Sequence, residues 1–204
     1  LEFPNSRFLL GDVRDLGKME RVMRGMDIVF HAAAYKHVVL CERSPFEAVQ
    51  TNILGVQNVI LAARATGVRL VVFTSSDKAV NPTNVMGTSK LMGERLISAA
   101  NVGCNGQKTI FTSTRFGNVL GSRGSVVPIF RGQIKKGGPV ALADRGMTRF
   151  IMGVRDAVRL VIDSALLARG GEVLVTKMPS IRISDLAELM VKELAPRFGH
   201  DPDD

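Results

Sequence analysis

The feature that most constrains the fold of this chain is the alternation of short, β-branched apolar runs with longer stretches of helical periodicity. Leu70-Val71-Val72-Phe73 is apolar at every position, as suits a strand covered on both faces in a parallel sheet. Strand-sized runs recur at residues 7–10, 27–31, 109–116, 139–142 and 172–175. Between them Leu16, Met19, Val22 and Met23 stand at helical spacing. Residues 45–65 read as one long helix, with Pro45 in its first turn, an apolar stripe of Phe46, Val49, Ile53, Val56 and Ile60, and Gly67 as its stop. Further helices are expected over residues 126–136, 155–168 and 183–194. Strand followed by helix throughout specifies an α/β chain with a doubly wound parallel sheet.

Composition narrows the classes of function. With 204 residues, 46% hydrophobic and 23% charged, the chain can bury a globular core, and its apolar runs are too short for a signal peptide or a membrane span. Cys41 and Cys104 are too few for a disulfide framework or a zinc site, which points to a reducing, cytoplasmic setting. The net charge of +8 is scattered, and Lys135-Lys136 is the only adjacent basic pair. With one tyrosine, no tryptophan and no basic stripe, a phosphate-bearing small ligand accounts for the charge better than nucleic acid does.

The densest cluster of reactive groups is TSSDKAVNPTNVMGTSK, residues 74–90. Ligands of open α/β sheets bind beyond the carboxyl ends of the strands, where Ser75, Ser76, Asp77 and Lys78 leave theirs. A helix with Asn84 as its N-cap then returns Lys90 past the same edge. The alternative is that Asp77 and Asn81-Pro82 only form a turn and both lysines are solvated. Three alanines, Ala32 to Ala34, follow the strand at 27–31 and would let a ligand approach the backbone. The loop from Gly117 to Ser125 alternates glycine with small polar residues, and Arg115 and Arg123 add charge to it. Met147-Thr148-Arg149 places an arginine in a loop context that suits a diphosphate. Asn52, inside the long helix, either bridges backbone groups or belongs to the site.

GDVRD, HAAAYKHV, SSDKAVNPTNVMGTSK, RFGNVLGSRGSVVP and MTRF, in this order, resemble the extended short-chain dehydrogenase/reductases of bacterial polysaccharide and glycan biosynthesis. More narrowly, the chain looks like the UDP-N-acetylglucosamine 4,6-dehydratases. The resemblance implies a Rossmann-like doubly wound sheet over residues 1–125. Residues 126–204 would then carry a small C-terminal substrate lobe and returning sheet elements. It implies NADP or NAD as cofactor, a UDP-sugar as substrate, a homo-oligomer, and a cytoplasmic enzyme that could be the cytoplasmic part of a membrane-anchored protein. By this likeness Asp12 and Val13 contact the adenine, Ala32, Ala33 and Lys36 line the cofactor, and Lys90 holds the nicotinamide ribose. Val119, Leu120, Ser122 and Arg123 pass near the nicotinamide, while Asn118 and Arg149 contact substrate and diphosphate.

The implied reaction oxidises C4 of the sugar, removes the acidified C5 hydrogen, expels the C6 hydroxyl and returns hydride to C6. Lys78 would be the C5 base, a role that suits a lysine depressed toward neutrality beside other cations. Asp77 would be the acid at C6 and could also take the C4 proton, Ser76 would orient the C4 hydroxyl, and Lys90 would add electrostatic bias. The wider superfamily carries tyrosine where this chain has Met86, and methionine cannot accept a proton. One branch of the dehydratases resembles this sequence in having methionine there. A related epimerase and a non-catalytic nucleotide-binding protein are the alternatives. No glycine-rich phosphate turn precedes Gly11. The resemblance therefore implies a partial chain lacking the first two strands and a later substrate segment. Its strand at 27–31 would be an unpaired apolar edge, and by itself the chain would neither bind dinucleotide tightly nor turn over substrate.

Overall fold

The computed structural model describes residues 4–102, 109–122 and 124–202. The chain divides into two compact units, one of residues 1–114 with 164–174 and the other of residues 115–163 with 175–204.

In the first unit α1 (Leu16–Met23) starts where Asp15 accepts a hydrogen bond from Lys18 N–H, which caps an otherwise orphaned donor. Strand β1 (Ile28–His31) runs parallel to β2 (Leu70–Ser76), with Ile28 opposite Leu70 and His31 opposite Phe73. Between them lie α2 (Val38–Arg43) and α3 (Pro45–Val49), a π-helical turn at Gln50–Leu54, and α4 (Gly55–Thr66), which ends at Gly67 with φ +75°. Helix α5 (Val85–Ala99) leads to β3 (Ile110–Phe116), and the sheet closes with β6 (Val173–Val175) in the order β1-β2-β3-β6. Val71, Phe73 and Phe111 turn one face of this sheet toward Val56, Val59 and Ile60 of α4, Ile97 of α5 and Met19 and Met23 of α1. Burial of one such side chain contributes about 1.5–3 kcal/mol. The architecture is Rossmann-like, a parallel sheet with flanking helices.

The second unit holds β4 (Asn118–Val119), α6 (Val126–Lys135), β5 (Thr148–Met152), most of α7 (Val154–Leu167), β7 (Ser180–Arg182) and α8 (Ile183–Leu194). Its small sheet has the order β4-β5-β7, parallel at the first pair and antiparallel at the second. Phe130 and Ile134 of α6 pack against Ile183, Ala187 and Met190 of α8.

Four expectations are corrected. Residues 7–10 form no strand, and Phe8, Leu9 and Leu10 are exposed. A strand exists only where a neighbour completes its ladder, and among the described residues β1 is the sheet edge, with Ile28 and Phe30 about half exposed. Residues 139–142 are likewise extended without a ladder, and Val140 and Leu142 serve as apolar cover for the α6–α8 cluster. Met147-Thr148-Arg149 runs into β5, so the arginine is on a strand and not in a loop. The helix at 45–65 is interrupted by its π turn. The turn's wider loop shifts the phase of the apolar stripe, leaving Phe46 85% exposed while Val56 and Ile60 are buried. Among the described residues no helix is long and apolar enough to cross a membrane.

Candidate active site

β2 ends in the densest cluster of reactive side chains in the sequence. Ser76 is the last strand residue, and its hydroxyl accepts from Lys78 N–H at 3.3 Å, which turns the chain into a single 3₁₀ turn over Asp77–Ala79. The same hydroxyl donates to Asp77 Oδ1 at 2.9 Å, and Lys78 Nζ donates to that oxygen at 3.0 Å. A carboxylate, an amine and a hydroxyl thus lie in one hydrogen-bonded group, with the Asp77 and Lys78 side chains 17% and 32% exposed. Lys78 was expected beside other cations, and the neighbour found here is a carboxylate. Asn81, at φ +45°, and Asn84, whose side chain accepts from Gly87 N–H at 2.8 Å, bring the chain into α5. Gly87 is required there, because an added Cβ would run into the carbonyl oxygen of Lys78 and press on Pro82. The reactive turn is seated directly on the first turn of α5.

Lys90 is set differently. It is 7% exposed, its Nζ donates to the carbonyl of Thr74 at 2.9 Å, and it lies 4.8 Å above the Phe73 ring. Burial lowers its pKa to about 8 against an opposing pull from Glu94. His31, at the carboxyl end of β1, stacks on Phe73 with ring centroids 5.6 Å apart. Burial, helped by the Lys90 charge, lowers its pKa to about 4, so it is neutral at physiological pH. His31 Nε2 and Ser75 Oγ are buried with no hydrogen-bond partner among the described residues. Two orphaned polar atoms at the carboxyl ends of adjacent strands, beside a buried ammonium, suit a polar ligand at that edge.

Met86 is not part of this polar group. It is 3% exposed and packs with Cys41 and Ala48 in an apolar cluster, where burial pushes the Cys41 thiol up. Cys104 and Arg123 lie outside the described residues. Asn52 fastens the alanine-rich loop to α5. Its Oδ1 accepts from Tyr35 N–H at 2.8 Å, and its Nδ2 donates to the Tyr35 carbonyl and to Ser89 Oγ, both at 2.9 Å. The backbone-bridging reading of Asn52 therefore holds. Ala32, Ala33 and Lys36 are exposed along the loop it anchors. Asp12 is bound by Arg14 through both carboxylate oxygens, the shortest contact being 2.7 Å, and this hydrogen bonding holds its carboxyl below the usual range. Val13 sits against α4, where its carbonyl accepts from Asn58 Nδ2 at 3.0 Å.

In the second unit Asn118 pairs with Ile151 across β4 and β5, and Arg149 stands two residues before Ile151, on the same face of that strand. Arg149 is half-buried and donates to the Thr148 carbonyl at 2.8 Å. Leu120 N–H bonds to the Met152 carbonyl at 3.0 Å, and Ser122 N–H closes a turn onto Val119 at 3.3 Å. Leu120 and Met152 also line a cavity of about 450 Å³ with Asp156, Arg159, Lys177 and Met178.

Sequence reasoning missed His31 and Glu94. The signal for Glu94 was present, an acidic residue one turn beyond Lys90 on the same helix face.

A family profile described as "Polysaccharide biosynthesis protein" matches residues 3–201. The UDP-N-acetylglucosamine 4,6-dehydratase (inverting) of Campylobacter jejuni is 43% identical over 97% of this chain and 58% of its own length. The UDP-glucose 4-epimerase of Rickettsia akari is also 43% identical, over 98% of this chain and 57% of its own. Among solved structures, Pen from Bacillus thuringiensis superposes with a TM-score of 0.95 at 48% identity, covering 98% of this chain and 62% of that one. The chain spans about three fifths of the length of several curated relatives it matches and about three tenths of others.

Proposed function

We propose, from the premise that this chain belongs to the polysaccharide biosynthesis protein family, that it carries the catalytic edge of a nucleotide-sugar 4,6-dehydratase acting on UDP-N-acetylglucosamine. The observation that carries this reading is the group formed by Ser76, Asp77 and Lys78, an acid and a base side by side on one turn at a strand's carboxyl end. Elimination across C5 and C6 needs such a pair, whereas simple hydride transfer at C4 does not.

A bound nicotinamide cofactor, NADP or NAD, supplies hydride acceptance and return. Lys90 is the residue that holds its ribose, since the ammonium has three donors and one is directed to Thr74. Ala32, Ala33 and Lys36 line the dinucleotide, together with Asp12 and Val13. Ser76 orients the C4 hydroxyl. Asp77, placed to exchange a proton with Ser76 Oγ, takes the C4 proton and later delivers one to the departing C6 hydroxyl. Lys78 gives its ammonium proton to solvent once Asp77 has taken the C4 proton and no longer pairs with it, and then takes the C5 hydrogen as a proton. Met86 takes no proton and acts by packing. By the family likeness Val119, Leu120 and Ser122 would serve the nicotinamide, and Asn118 and Arg149 would serve substrate and diphosphate.

The test is to incubate the protein that carries this chain with UDP-N-acetylglucosamine and read the product by NMR. A 4-keto sugar with a C6 methyl group is expected. The second reading, a nucleotide-sugar epimerase, is favoured by the likeness to the Rickettsia akari UDP-glucose 4-epimerase. A product inverted at C4 with its C6 hydroxyl intact would establish that reading instead.

A further inference from the structure

We propose that Asn52 is a positioning residue that sets the loop of residues 32–36 in one conformation and fixes its spacing from α5, the helix that carries Lys90. The inference rests on the reading above, in which Ala32, Ala33 and Lys36 line the dinucleotide and Lys90 holds its ribose. Residues 32–37 belong to no helix or strand, so no ladder satisfies their backbone groups. The Asn52 carboxamide takes that place at Tyr35. Its Oδ1 accepts from the Tyr35 N–H at 2.8 Å while its Nδ2 donates to the Tyr35 carbonyl at 2.9 Å, so one side chain binds both backbone groups of one residue. Nδ2 has a second hydrogen, which goes to Ser89 Oγ at 2.9 Å, and that hydroxyl donates in turn to the Met86 carbonyl at 2.8 Å. With its proton committed to Met86, Ser89 can only accept from Asn52, which fixes the way the carboxamide faces.

Asparagine is a poor helix former, and a buried amide is unfavourable unless its groups are bonded. Asn52 is 1% exposed and Ser89 2%, so water does not compete for these bonds. Asn52 stands in the middle of the π turn at Gln50–Leu54, which Gly55 N–H closes onto the Gln50 carbonyl. Such turns are rare and are found frequently at functional sites. The helical segment that follows holds a second stretch of the proposed cofactor lining. Asn58 Nδ2, on α4, donates to the Val13 and Arg14 carbonyls, both at 3.0 Å, and an added Cβ at Gly55 would lie 2.8 Å from Val13 Cγ2. Two asparagines of one helical segment thus fasten two loops that are distant in sequence. Ser89 immediately precedes Lys90, so the link from Tyr35 through Asn52 to Ser89 ties the loop to the helix turn that presents Lys90.

The experiment compares hydrogen exchange and cofactor binding in the protein that carries this chain. In Asn52→Ala, deuterium uptake read by mass spectrometry should rise across residues 32–37. Calorimetry with NAD and NADP should show binding about tenfold weaker, because the loop spends less time in its competent conformation. Ser89→Ala cuts only the link to α5, and it should raise uptake over the same residues less and weaken binding a few-fold. Unchanged uptake at residues 32–37 in Asn52→Ala overturns the proposal. Uptake raised throughout the first unit, with a lowered melting temperature, would mark a merely structural role and overturn it too. Should Asn52→Ala not fold, Ser89→Ala carries the test, and wild-type uptake in that variant overturns the proposal. If uptake rises at residues 32–37 alone while affinity is unchanged, Asn52 still sets the loop, and the assignment of that loop to the cofactor is what fails.

Discussion

Lys78 and Lys90 flank the entry to one helix, yet they sit in opposite physical settings. Lys78 stands on a short, half-exposed turn, beside a carboxylate that is itself bonded to a hydroxyl. Lys90 is locked into the helix–sheet interface by a backbone carbonyl and an aromatic face. In the proposed reading the group that gains and loses a proton stands on the turn, where its partner can be exchanged for substrate, and the group that holds a ligand stands among the fixed partners of the interface. The two lysines are not redundant, and perturbing each should have different consequences.

The largest effect is expected at the turn. Lys78→Ala should reduce dehydration by on the order of 10²-fold or more while nicotinamide binding, measured by calorimetry, stays intact. Near-normal turnover would end the assignment of Lys78 as base. Asp77→Asn should stop elimination as well. Accumulation of a 4-keto sugar still bearing its C6 hydroxyl would show that another group takes the C4 proton.

Next comes the pH dependence of the interface. The pKa of His31 is lowered to about 4, so between pH 6.5 and 4 the unfolded chain binds a proton that the folded chain does not. Stability should fall as the pH drops through that window, by up to about 3 kcal/mol. Lys90, lowered to about 8, acts in the same sense at the other end, and stability should rise from pH 8 toward 10.5. Urea unfolding across pH 4 to 7 checks the first part. A His31→Leu variant that keeps the full acid slope would remove His31 as its source.

A smaller effect joins the two regions. Gly87→Ala forces the Lys78 carbonyl away from α5, with an overpacking cost of about 1–3 kcal/mol. Both the melting temperature and turnover should drop. If turnover survives a clear loss of stability, the turn is not held in its working position by α5. The smallest effect on turnover is expected for Met86→Tyr. The side chain faces Cys41 and Ala48, so a phenol there should be neutral or harmful, and a large gain in rate would place the chain in the tyrosine-dependent branch instead.

Much of the scaffold was legible because local rules and tertiary demands agreed. Asn84 as the N-cap of α5, Gly67 as the stop of α4 and the bounds of α8 were all visible in the sequence, since caps and amphipathic periods are local properties. Residues 7–10 and 139–142 have the composition of strands and are not strands, because a strand needs a partner that composition cannot name. The exposed Phe46 shows a second limit. A single π turn downstream moved the buried stripe, and no residue type announces such a turn.

By itself the sequence determined the alternation of strands and helices and the place where Ser76, Asp77 and Lys78 leave β2, since periodicity and turn chemistry act over a few residues. It also contained the motifs that carry the family likeness. Only the tertiary structure decided which charges are buried. Nothing local distinguishes Lys78 from Lys90, or Glu94 from the exposed Glu47. Burial depends on what arrives from elsewhere in the chain, here the Phe73 ring, the Thr74 carbonyl and a glycine at 93 that lets the helix close over both charges.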